Sequence, residues 1–210
     1  LLVPDPSYIL LAFTVLIMSL SVHEAAHAWS ADLLGDPTPA KMGRLSFNPL
    51  VHVDPIGTIL FPLVAIATGQ SVVGWAKPLP VAVSELGVAW RRKVVLIAAA
   101  GPASNVGLAL VAAGLWHSGV AATGTNLDRP LAQLLSRGLT INVLLAVLNL
   151  LPVPPLDGGN ALAKLLRGKA AAALDRARPY GVLVLYVLLL TGALATVVQP
   201  VAYTIVSWLN

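Results

Sequence analysis

Two histidines four residues apart, with a glutamate beside the first, stand in the run His23-Glu24-Ala25-Ala26-His27. Residues at i and i+4 of a helix share a face, so His23 and His27 can grip one metal ion. Glu24 sits beside them, where it can take a proton from a water at that metal, an arrangement suited to hydrolysis. The run closes a nearly unbroken apolar stretch, Tyr8 to Val22 (YILLAFTVLIMSLSV), and no charge lies between Asp5 and Glu24. Ionisable groups at membrane depth are costly, so a His-Glu-His set there reads as functional.

The composition excludes an ordinary soluble chain. Hydrophobic residues make up 57% of the 210 and charged ones only 10%, with a mean hydropathy of +0.83; soluble domains carry about 25% charge. A net charge of +4 and a pI near 9.7 would suggest nucleic acid in a soluble protein. Here basic loops that fix membrane orientation account for it, and no nucleic-acid partner is expected. There is no cysteine, which excludes disulfides and thiolate metal sites. Any metal must rest on four His, two Glu and seven Asp. The first apolar run is followed by the metal motif rather than a small-residue cleavage site, so it reads as a retained helix. The chain opens at Leu1 without an initiator Met, so a few preceding residues are expected.

These features predict an all-α polytopic membrane protein. The expected architecture is a bundle of about four to six transmembrane helices, with a re-entrant or interfacial segment and short extended strands. Spans are expected from about Ser7 to Ala31, Val94 to Trp116, Leu131 or later to Leu151, and Tyr180 to Val198. The piece from Pro55 to Thr68 is shorter than the ~20 residues of a simple span. Residues 72–83 (VVGWAKPLPVAV) are broken by Pro78 and Pro80 and read as an extended edge segment. The terminal VAYTIVSWLN is an interfacial helix or the start of a longer one. No internal repeat or low-complexity tract is visible.

Loop charge sets the orientation. Residues 160–179 hold five Lys or Arg against one Asp, and Arg91-Arg92-Lys93 form a second cluster; both are expected in the cytoplasm. The loop at 117–130 has one Arg and one Asp and becomes the outer loop. The first helix and the 131–151 span then run inward and the 94–116 span outward. With both basic clusters inside, residues 55–68 must enter and return, or lie at the interface.

Depth selects a third metal ligand. His23 lies about 24 Å below Ser7 on a helix rising ~1.5 Å per residue, near the cytoplasmic side of a ~30 Å core. Asp157 ends the other inward span at a similar level. Three protein ligands, His23, His27 and Asp157, leave the open fourth position of a catalytic zinc. A third His six residues beyond His27 is absent, since position 33 is Leu. His52 and Asp54 remain rivals that could reach the site, although Asp54-Pro55 also reads as a turn before a helix. His117 falls on the opposite side, and Glu85 reads as solvated.

Three pieces in order, His23-Glu24-Ala25-Ala26-His27, Gly101-Pro102-Ala103-Ser104-Asn105, and Asn149 through Pro152 to Leu156-Asp157-Gly158, give the chain its resemblance. It resembles the intramembrane zinc metalloproteases of the site-2 protease family over roughly residues 8–160. The resemblance implies one Zn2+ per chain held by His23, His27 and Asp157, with Glu24 as catalytic base. Asn149 would bind the substrate backbone or steady the oxyanion. It also implies a lipid bilayer setting and a transmembrane protein as substrate, cut in or near its membrane segment, with the active site near the cytoplasmic side of the cell membrane. Residues 72–83 would hold the unwound substrate by strand addition. No inserted peptide-binding (PDZ) domain separates the core spans and no nucleotide-binding (CBS) domain follows the last. The expectation is therefore a compact form, a single membrane domain over 1–210 with its core at 8–160 and C-terminal helices at 161–210. Two rival classes are a zinc transporter, which needs ligands strung along a path, and a catalytically dead scaffold, which does not need an intact His-Glu-His set.

Overall fold

A computed structural model describes residues 6–60 and 76–209, and every regular element among them is helical. Helix α1 (Pro6–Leu33) carries the apolar stretch and the His-Glu-His run in one piece. A single turn, α2 (Thr38–Lys41), follows. Next come the long helices α3 (Trp90–His117) and α4 (Asp128–Asn149). The chain ends in α5 (Asp157–Leu165), α6 (Gly168–Ala177), α7 (Gly181–Leu190) and α8 (Ala193–Leu209).

Helices α1, α3 and α4 are each long and apolar enough to cross a membrane. Helix α3 is central: it packs on α1, α4 and α5, while α8 lies against α4. Its sequence explains why. Ala98, Gly101, Asn105, Ala109 and Ala112 recur every three or four residues and are all buried. Lipid tails are as apolar as leucine, so helices in a bilayer associate through close packing and polar bonds, and small residues permit the approach. At one end Ala109, Ala112 and Ala113 meet Leu139 and Val143 of α4 and Ala202 of α8. Leu16 and Leu20 of α1 pack on Leu145 of α4. At the other end Ala31 and Ile97 close over Leu86.

The cytoplasmic end expected from loop charge is tied by polar bonds. Lys93, in the first turns of α3, donates from Nζ to the Leu34 carbonyl at 2.7 Å. A cation there satisfies the end of α1 and meets the negative end of its dipole. The end of α1 thus lies beside the start of α3, and the two run antiparallel. The Asp36 carboxylate, fully buried, accepts from the amides of Thr38 (3.0 Å) and Ala82 (2.7 Å), pinning the segment before α3 to the loop after α1.

Several expectations are revised. Among the described residues three helices are long and apolar enough to span, or four if the α6–α8 run is one broken span, which meets the expected four to six at its lower end. The last span, expected unbroken from Tyr180 to Val198, stops at Leu190 and restarts at Ala193, with a 76° bend in the α6–α8 run. Gly192 takes φ +75° there, the left-handed conformation that ends helices and that glycine adopts without strain. No strand occurs among the described residues. The described part of the extended segment, 76–82, is irregular, and its Lys77 amide bonds the His52 carbonyl at 2.8 Å. Residues 72–75 lie outside the described residues. So do 61–68, and with them the expected re-entrant or interfacial course of the 55–68 piece. Its described start, Pro55–Leu60, is one π-helical turn.

Replacing Asp36 by Ala strands two buried amides. The Asp36→Ala variant is expected to lose about 2–4 kcal/mol, read as a lower unfolding midpoint in detergent than wild type.

Candidate metal centre

The histidine-bearing face of α1 is set by helix geometry alone. His23 and His27 are both buried, with their rings edge-on at 84° and centroids 4.6 Å apart. Asp157 arrives from further along the chain. After α4 the chain turns through 150–156, and α5 begins at Asp157. A Cβ on Gly158 would collide with the Leu150 and Leu151 carbonyls, and one on Gly159 with the backbone at Val153 and Pro154. The two glycines therefore let α5 press against the turn, and this close approach brings Asp157 to α1.

The three side chains meet at one point. His23 Nε2 and His27 Nε2 are 3.0 Å apart, and Asp157 Oδ2 is 3.1 Å from the first and 3.2 Å from the second. These three form a candidate metal-binding group among the described residues. Each histidine engages its other nitrogen elsewhere. His23 Nδ1 donates to Asn105 Oδ1 at 2.6 Å, and His27 Nδ1 donates to the Ile97 carbonyl at 2.6 Å. With both protons on Nδ1, the Nε2 lone pairs face each other and a carboxylate oxygen.

That donor set fits a zinc ion. Zinc–ligand bonds of ~2.0 Å in a tetrahedron separate ligand atoms by about 3.3 Å, close to the observed triangle. Two imidazoles and a carboxylate, each imidazole oriented through its second nitrogen, are what catalytic zinc sites use. The backbone opposite is shaped to match: a Cβ on Gly101 of α3 would run into both Nε2 atoms, so only glycine keeps that space open. Ile97, Gly101 and Asn105 lie one turn apart on α3, facing His27, both rings and His23 in turn.

Glu24 is half-buried on α1 and makes no hydrogen bond among the described residues. Asn149, at the end of α4, donates from Nδ2 to the Leu145 carbonyl at 3.0 Å, which leaves its second N–H uncommitted. His52 is buried but stands outside the triad. Its Nε2 donates to the Ser46 carbonyl at 2.7 Å, while Nδ1 has no partner among the described residues. The ring borders a cavity of about 10 Å³, room for one water, beside Ser21 and Thr58. Asp54 caps the turn at 55–60, accepting from the Ile56 and Gly57 amides at 3.0 and 2.7 Å. Glu85 is exposed, and His117 is exposed and bonded to the Leu209 carbonyl. Sequence reasoning passed over Asn142, which bonds Asn105 at 2.8 Å, and gave no role to Asn105 or Gly101. The available signal was an amide inside each of two apolar spans.

Known proteins carry similar sequences. The model described as Peptidase family M50 matches residues 119–192. The chain is 38% identical to "Putative zinc metalloprotease YwhC" of Bacillus subtilis, over 88% of this chain and 82% of that protein. It is 34% identical to "Putative zinc metalloprotease Rip2" of Mycolicibacterium smegmatis, over 85% of this chain and 66% of that protein. A Rip2 of Mycobacterium tuberculosis is 31% identical over the same shares. No solved structure matches.

A methyl group at position 101 tests the fit directly. Gly101→Ala is expected to weaken zinc binding about 10- to 100-fold while helical circular dichroism is retained; elemental analysis after gel filtration reads the loss.

Proposed function

The chain belongs to peptidase family M50, the site-2 proteases, and from that premise we propose that Glu24 is the general base of peptide hydrolysis at a zinc held by His23, His27 and Asp157. The protein is an intramembrane zinc metalloprotease, an integral multi-pass membrane protein that acts on membrane-protein substrates in a lipid setting. The observation that carries the site assignment is the convergence of two Nε2 atoms and one Oδ2 within 3.2 Å, with an uncommitted carboxylate on the same helix.

When bound, zinc acidifies water and polarises the scissile carbonyl. Glu24 accepts a proton from the attacking water and returns it to the leaving amine. Asp157 supplies the anionic oxygen that completes the donor set. Asn149 offers its second N–H to the substrate backbone or to the oxyanion as negative charge develops. The substrate segment must unwind locally, because a helix keeps its carbonyls engaged in its own hydrogen bonds. Residues 72–83 could receive it as an added strand, and the whole chain, 1–210, works as one membrane domain.

The active site lies near the cytoplasmic side. Supporting this are the basic clusters at 91–93 and 160–179 and the Lys93–Leu34 bond at the same end of the bundle as the site.

Three outcomes are expected. Glu24→Gln should keep about one zinc per chain yet abolish cleavage of a transmembrane substrate; retained turnover removes Glu24 as base. Asp157→Ala should lose or greatly weaken zinc, and full affinity would instead return His52 and Asp54 as ligands. In this cysteine-free chain, a single cysteine at Ala122 should react with an impermeant maleimide on intact cells, and one at Ala170 only after lysis. The reverse pattern would put the site on the outer side.

A further inference from the structure

Resting on the zinc reading above, we propose that Asn105 and Asn142 form a one-way hydrogen-bond relay that holds His23 in the tautomer with a bare Nε2. They are positioning residues for the metal rather than catalytic ones.

The polarity of the relay is set at its far end. The Gly138 carbonyl can only accept, and Asn142 donates to it from Nδ2 at 2.8 Å. That commits the other half of the Asn142 amide, Oδ1, to face Asn105, whose Nδ2 donates to it at 2.8 Å. Asn105 must then present Oδ1 to His23, where Nδ1 donates at 2.6 Å. Each link dictates the next, from α4 through α3 to α1, and the last leaves the lone pair of Nε2 toward His27 and Asp157. Asn105 is fully buried and Asn142 nearly so (3% exposed), so water does not substitute for a missing partner.

An amide makes such a lock necessary. A half-turn about its terminal bond exchanges oxygen for nitrogen with almost no change in shape. Asn105 alone could therefore turn Nδ2 toward His23, accept the other tautomer, and place a proton on Nε2 where the metal belongs. With Asn142 fixed by Gly138, that rotation sets two carbonyl oxygens against each other in a buried site. His27 needs no such device, because its Nδ1 bonds a backbone carbonyl, Ile97 O, which cannot turn over.

A carboxylate at position 105 has no donor to present, so it should make Asn142 dispensable. The test uses the full-length protein in detergent and measures zinc affinity by chelator competition and the visible spectrum of the cobalt-substituted site. Thermal unfolding of the metal-free protein controls for folding. Asn142→Leu is expected to weaken zinc about 10- to 100-fold and alter the cobalt spectrum. Adding Asn105→Asp to it is expected to restore most of the affinity. If Asn142→Leu does not fold, Asn142→Ala takes its place with the same expectation. Wild-type affinity in the Asn142 variant, or a double variant no tighter than the single, overturns the relay and reduces Asn142 to packing. Failure of the wild-type protein itself to hold zinc overturns the metal reading instead.

Discussion

Three electron-rich atoms, His23 Nε2, His27 Nε2 and Asp157 Oδ2, are held within 3.2 Å of one another inside a bundle of apolar helices. With both histidines buried and Asp157 largely covered, such a cluster is unfavourable unless a positive centre lies among its members. Much of the rest of the structure serves this constraint. The histidines come from one helix, so their spacing is guaranteed by the backbone. The carboxylate comes from elsewhere and needs a tight turn and two glycines to reach them. Each imidazole is then turned by a bond to its second nitrogen, so that the lone pairs converge.

The same constraint explains the central helix. Helix α3 contributes none of the three converging side chains, yet it holds both histidines: Ile97 through its carbonyl, Asn105 through its amide, Gly101 by having no side chain. Residues 97, 101 and 105 recur at four-residue steps, so one face of α3 matches the 23–27 face of α1. This is possible because the two helices run antiparallel and small residues let them approach. In a bilayer, where burying an apolar side chain against another gains little over burying it in lipid, these polar contacts and the close fit carry much of the specificity of packing.

A good deal of both fold and site was legible from the chain. The three long spans, their relative directions and the convergence of His23, His27 and Asp157 followed from hydropathy, loop charge and counting residues along helices. Asp54 as a turn cap and Glu85 as a solvated group were legible too, because local chemistry decides them. The break at Thr191-Gly192 was not, since an apolar run of that length satisfies the criteria for a span whether or not a glycine inside it turns left-handed. Nor was the loss of strand character over 76–82: proline and alternation point to extended backbone, but pairing depends on whether a partner edge lies alongside.

The sequence by itself determined which residues could do chemistry and that His23 and His27 share one face of α1, because helical rise and periodicity are properties of the backbone that hold before any helix meets another. Only the tertiary structure decided how those residues are held. That the Asn105 amide reaches His23, that Asn142 stands behind it, and that Gly101 lies under both rings depend on the rotation of each helix about its axis. Side-chain packing across three helices sets those rotations, and no one helix carries that information alone.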